Sequence, residues 1–211
     1  MYRIPIEDKL YKKLNRDASI NKYFRSSSVG GCMELIELYY RSTDNFNKIG
    51  WENFYLTKER RDRLNEIYLI LREKLQNMLG VEIQDYIFYR VVGQTYNGFV
   101  TELNIIKEFQ KEFPNIDFIK ANPQLDEKYF TDFEAYTKGL LIFGIQVKPI
   151  SYLRMSKPYQ IKSKENHEVQ RQDYMRIFKV PHKIVYYDKG VLLDKEKIFN
   201  EINTILVSKI I

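Results

Sequence analysis

The stretch FTDFEAYTKGLLIFGIQVKPISY, residues 130–152, decides the fold. Apolar and polar residues alternate on both sides of Thr137-Lys138-Gly139, a tight-turn signal, so the stretch reads as a β-hairpin. Period two puts Asp132, Glu134 and Tyr136 on one face of the first strand and Gln146 with Lys148 on one face of the second. Ile145 and Val147 point the other way, into a core. A hairpin that only had to fold would alternate apolar with neutral polar residues; this one carries charge on both strands where the chain enters the core. Paired around the turn, a carboxylate, a side-chain oxygen and the Lys148 ammonium converge at the sheet end, just before Pro149 stops the pairing.

Outward from the hairpin, the pattern from residue 91 onward is mixed α/β. Asn97 begins an amphipathic helix with Phe99, Leu103, Ile106, Phe109 and Phe113 on one stripe, ended by Pro114-Asn115. A short strand, IDFIKA (116–121), precedes the hairpin. After it come a basic loop, a helix over 164–178, the strand KIVYYD (183–188) and a helix from Asp194. This order predicts an α/β fold in which a mixed sheet is flanked by helices, the last strand being reached by a crossover helix and lying parallel to a neighbour. The first ninety residues read as a helical N-terminal region. Met33, Leu35, Ile36, Leu38 and Tyr39 form a stripe after Ser28-Val29-Gly30-Gly31. Residues 57–79 read as one helix, with Thr57 as N-cap, Leu64, Ile67, Leu71, Leu75 and Met78 at helical spacing, and Gly80 as the stop. The predicted division is 1–90 and 91–211.

Composition narrows the function classes. At 211 residues and 44% hydrophobic content the chain can bury a sizeable core. A single cysteine, Cys32, leaves no internal disulfide framework and fits a reducing cytosol, and with only two histidines the composition argues against a conventional zinc cage. The opening MYRIPIEDKLYKKLNRD is too charged for a signal peptide, and no apolar run approaches the ~20 residues of a membrane span. A cytoplasmic protein without a membrane partner is expected. The net charge of +6, with 17 tyrosines, suits nucleic-acid binding, and equally suits a chain encoded by an AT-rich genome.

The hairpin residues have a chemical use. Mg²⁺ takes oxygen ligands, often one or two carboxylates. Such an ion together with a lysine polarises a phosphodiester and offsets the charge of its transition state. A plain salt bridge from Asp132 to Lys148 would account for the same spacing. Glu102, at the edge of the helix stripe, is placed to reach a metal, and is also an ordinary boundary glutamate. LRMSKPYQIKSK (153–164) follows Tyr152 with Arg154, Lys157, Lys162 and Lys164 and no acid. A basic loop beside a metal site is where a polyanion would lie; otherwise it is a solvated surface loop.

Asp132…Gln146-Val147-Lys148, after a helix bearing Glu102 and before a crossover helix and strand, resembles the PD-(D/E)XK nuclease core. Thr131 stands where that core has a proline, and Gln146 where an acid is usual. SSSVGGCMELIELYY (26–40), GWENFYL (50–56), GQTYNGFVTELNIIKEF (93–109) and GIQVKPISY (144–152) are similar, in order and spacing, to the MjaI-type family of type II restriction endonucleases. Val29, Gly31, Met33, Glu34, Leu35, Ile36, Trp51, Glu52, Phe54, Tyr55, Lys148, Pro149 and Tyr152 carry the match. The resemblance implies Mg²⁺-dependent, sequence-specific cutting of double-stranded DNA by a homodimer, with residues 91–211 as nuclease core and 1–90 for DNA binding or dimerisation. On this reading Asp132 binds Mg²⁺, Gln146 gives an oxygen or positions a water, and Lys148 orients the nucleophilic water. Glu102 acts on the metal through water, and Glu134 is the reserve ligand. Tyr152, Arg154, Lys157, Lys162 and Lys164 hold DNA. A repair or recombination nuclease on the same core, and a DNA-binding module that does not cut, are the alternatives.

Overall fold

The hairpin forms where the alternation predicts it. In the computed structural model, which describes residues 9–210, β2 (Phe133–Thr137) and β3 (Leu140–Pro149) pair antiparallel. Lys138 and Gly139 both take positive φ, 48° and 77°, the geometry that lets a two-residue turn follow the strand twist. β1 (Asp117–Lys120) adds antiparallel to β2, and β4 (His182–Asp188) adds to β3 in parallel, as a crossover requires. β5 (Val191–Leu192), a short edge strand with no counterpart in the sequence reading, closes the order β1-β2-β3-β4-β5.

Two compact units join at Val100 and Thr101. In the second, one sheet face packs on α7 (Gln94–Glu112) and α10 (Lys195–Ile210). Ile105, Ile106, Phe109 and Phe113 meet Phe133, Ala135, Ile145, Val147, Phe199 and Ile202 there. A smaller cluster joins Tyr129, which ends α8 (Pro123–Tyr129), to Tyr174 of α9 (Pro158–Phe178) and Val180. The alternation pattern predicts no α8. It starts as helices commonly do, with Asn122 capping Leu125 N at 2.9 Å and proline in the first turn. α9 starts at Pro158, six residues before the predicted 164, because the Gln160 side chain accepts from Lys157 N at 3.1 Å and proline is pre-set for a first turn. The basic loop therefore stops at Lys157, and Lys162 and Lys164 are helical.

The regular elements among the first unit's described residues are all helical, its α-helices being α1 (Lys9–Leu14), α2 (Ala18–Asn21), α3 (Cys32–Ser42), α4 (Lys48–Tyr55), α5 (Lys58–Lys74) and α6 (Gly80–Phe88). α5 ends at Lys74, short of the predicted 79, and Gly80 opens the next helix instead of closing this one. Glu82 at the third position of α6 accepts from Leu79 N at 2.8 Å and fixes that start. α7 begins at Gln94 and not at Asn97, reached from α6 through a π-helical turn, Tyr89–Gly93, whose Val91 and Val92 are buried. Trp51 donates to Val92 O at 3.1 Å and Tyr55 to Val29 O at 2.6 Å. The α3 stripe is half right: Ile36 and Tyr39 are buried, Met33 and Leu38 exposed. Phe99 packs on Tyr40 and Phe46 in this unit, while the rest of its predicted stripe serves the sheet.

Candidate active site

Asp132 lies just ahead of β2, clamped on both sides by its own backbone. Its N–H donates to Ile145 O and its C=O accepts from Ala121 N, each at 2.9 Å. The side chain is 3% exposed. One carboxylate oxygen, Oδ2, accepts from Gln146 Nε2 at 2.6 Å and from Val147 N at 2.7 Å. Gln146 is 0% exposed, and its other amide atom, Oε1, is buried with no hydrogen-bond partner among the described residues. A buried acceptor left unmade costs about 1–3 kcal/mol, so this oxygen is out of place in a site with nothing to bind.

Glu102, on α7, lies near enough for the charge of Asp132 to act on it. Burial, and next the charge of Asp132, push its carboxyl up, while Lys120 and Lys148 pull it down. Lys120 Nζ lies 3.1 Å from Glu102 Oε2. Sequence reasoning missed Lys120: β1 puts it with Phe118 on the more buried face, opposite Asp117 and Ile119, but with one apolar and one charged residue on each face the sequence alone carries no signal.

Lys148 leaves β3 on the same face as Gln146. No ion pair to Asp132 forms; the ammonium sits 4.6 Å above the centre of the Phe130 ring. Phe130 has φ 56° as the residue capping α8, and its ring stacks on His167 of α9 at 4.0 Å and 12°. Burial, then the charge of Lys148, lowers the His167 pKa. Tyr152, expected at the DNA, shares a hydrogen bond of 3.0 Å with His167 Nδ1. Lys164 is also engaged inside the unit, donating to Leu153 O at 3.0 Å and Met155 O at 3.1 Å. Arg154, Lys157 and Lys162 are exposed.

Glu134, the expected reserve ligand, has both oxygens occupied. Tyr174 donates to Oε1 at 2.9 Å and Tyr136 to Oε2 at 2.8 Å. Tyr174 approaches so closely that a Cβ on Gly144 would lie 2.8 Å from its ring, which explains the glycine inside β3. Thr131, in the place of the expected proline, is fully buried, with Oγ1 3.2 Å from Tyr129 O and 3.1 Å from Nε2 of His182. The hydroxyl thus ties the start of the hairpin to the parallel strand, a bond proline cannot make.

Two carboxylates, an amide oxygen without a donor and a lysine fit a hard divalent cation. Among the described residues no cluster of three or more His, Cys, Asp and Glu side chains is arranged for a metal, so the amide would have to serve as a ligand. A cleft of about 540 Å³ in the helical unit, lined by Arg61, Asn65, Tyr68 and Gln84 among others, contains none of these groups. No helix among the described residues is long and apolar enough to cross a membrane.

Residues 12–198 match the family described as MjaI restriction endonuclease. No curated protein and no solved structure matches the chain. The match takes in both units, from the aromatic helical core to the hairpin with its buried acid and amide, and most of the sequence lies inside it. The chain belongs to the MjaI restriction endonuclease family.

Proposed function

We propose that the protein is a type II restriction endonuclease that hydrolyses double-stranded DNA at a specific sequence, requires Mg²⁺ and leaves 5′-phosphates. The reading rests above all on Gln146. Its Nε2 is fixed by Asp132, so its Oε1 faces away from that bond and lacks a donor in a buried setting. A cation would satisfy this oxygen, with Asp132 as the charged ligand and Glu102 completing the set. When bound, the ion would make water acidic enough to attack and would offset negative charge on the phosphodiester.

The chain's own groups supply the rest. The clamped backbone of Asp132 and the Val147 N–H hold the carboxylate in one orientation, so little reorganisation accompanies the reaction. Lys148, which among the described residues is held only by a ring face, keeps its N–H donors for the attacking water and a non-bridging phosphate oxygen. In-line attack on phosphorus then expels the 3′-oxygen. Glu134 takes no part, its oxygens being used by tyrosines. Arg154, Lys157 and Lys162 contact backbone phosphates, and a homodimer presents two such sites to a short palindrome.

Gln146 tests the reading. Cleavage of plasmid DNA is measured against Mg²⁺ concentration for the wild type, Gln146→Glu and Gln146→Leu. The glutamate adds charge beside Asp132 and should lower the Mg²⁺ requirement; the leucine keeps bulk but removes the oxygen, so it should lose activity or need far more metal. Three superimposable curves would remove Gln146 from the site. A protein that binds DNA yet never nicks it, with or without Mg²⁺, would be the module without cleavage that the missing second acid also allows.

A further inference from the structure

Lys120 has no part in the reading above. It is the last residue of β1, opposite Phe133 in register, with a side chain 9% exposed. Lysine is almost never this buried unless paired. Its ammonium meets Glu102 Oε2 at 3.1 Å and the face of Phe133, 4.9 Å from the ring centre. The carboxylate it holds is the one a cation at Asp132 would recruit, and Glu102 is itself only 16% exposed.

Two carboxylates brought together away from bulk water repel each other unless a positive charge intervenes. Of the two lysines acting on Glu102, Lys148 has the smaller effect, and its ammonium stands over Phe130. Lys120 is the closer cation, and the backbone favours it: Ala121 N, next in the chain, bonds Asp132 O at 2.9 Å, so the end of β1 and the acid are tied together.

We infer that Lys120 is a built-in counter-cation of the site, which holds Glu102 toward Asp132 and competes with the divalent ion for that carboxylate. The ion has to share Glu102 with Lys120 or displace it. A unit charge that shares a carboxylate with a divalent ion alters the ion's binding by roughly tenfold or more at a protein-like dielectric. Lys120 thereby sets how much metal the site requires. The inference rests on Asp132 and Glu102 forming the cation site.

Mn²⁺ binding to the full chain without DNA, followed by electron paramagnetic resonance, tests it. Lys120→Gln keeps a donor for Glu102 and removes the charge; Lys120→Met removes both, and circular dichroism checks that each variant is folded. Both should bind Mn²⁺ roughly tenfold tighter than the wild type. Lys120→Arg should match the wild type, and Asp132→Asn should lose binding. Binding by Lys120→Gln where the wild type shows none would be the strongest support. If Asp132→Asn loses binding while folded Lys120→Gln binds no tighter than the wild type, the inference is wrong and the cation site stands. Wild-type binding that survives in Asp132→Asn, or no binding by any of the proteins, overturns the site and the inference together.

Discussion

Two buried acids two residues apart in the first arm of the hairpin, one just ahead of β2 and one in it, have opposite surroundings. Glu134 is saturated: each oxygen takes a tyrosine hydroxyl, and the close approach of Tyr174 is secured by a glycine on the next strand. Asp132 is clamped but not saturated; among the described residues only Oδ2 is bonded, and the amide it orients carries an oxygen with no donor. Burial alone therefore does not mark a functional carboxylate. What separates the two is whether the partners complete the hydrogen bonding or leave part of it for something that arrives later.

Substituting each acid should break or sharpen that contrast most directly. Asp132→Asn should nearly abolish cleavage, by several kcal/mol of lost transition-state stabilisation, with the fold intact, and Lys148→Ala should behave alike. Glu134→Gln should keep most cleavage but lower unfolding free energy by about 1–3 kcal/mol, because one tyrosine hydroxyl loses a charged acceptor. Plasmid cleavage and urea melts on the same preparations check this. A dead Glu134→Gln beside an active Asp132→Asn would reverse the assignment.

His182 touches both halves of the contrast, through Thr131 next to Asp132 and through the ring of Tyr174 that bonds Glu134. Burial, aided by Arg171, lowers its pKa from 6.5 to about 4. The unfolded chain thus binds the proton more readily. The stabilisation is whole above about 6.5 and is lost as pH falls toward 4, amounting to at most about 3 kcal/mol. Denaturant melts across that range should show the slope, and His182→Gln should flatten it. An unchanged slope in the variant would assign the pH dependence to other groups.

The smallest effect concerns the exposed cations. Lys162→Ala should weaken binding to all DNA sequences alike and reduce the log–log salt slope by roughly one unit. Altered sequence preference at an unchanged slope would instead make Lys162 a base reader.

The hairpin was the most legible part of the chain, because period two and a Lys-Gly turn are local signals. Strand faces, turn and the meeting of Asp132 with Gln146 follow from them. Helix ends were less legible. Gly80 looks like a stop and is a start, since Glu82 reaches back to Leu79 N, and Asn97-Gly98 looks like a beginning but lies inside a helix carried through by buried Val91 and Val92. At the site, the partners of Glu134, Thr131 and Tyr152 could not be read. Tyr174, His182 and His167 come from α9 and β4, and no periodicity specifies which side chains meet across a crossover.

The acid–amide contact spans 14 residues across a two-residue turn, whereas the Thr131–His182 contact spans 51. Closing a short hairpin takes microseconds, while the parallel strand waits for a helix to cross over and for a much longer loop to close. The order of assembly follows: the half of the site that holds Asp132 forms first, and β4 locks it afterwards. In chevron experiments, replacing Gly139 in the turn should slow folding, whereas replacing His182 should mainly speed unfolding. The reverse pattern would place the folding nucleus at the parallel pair.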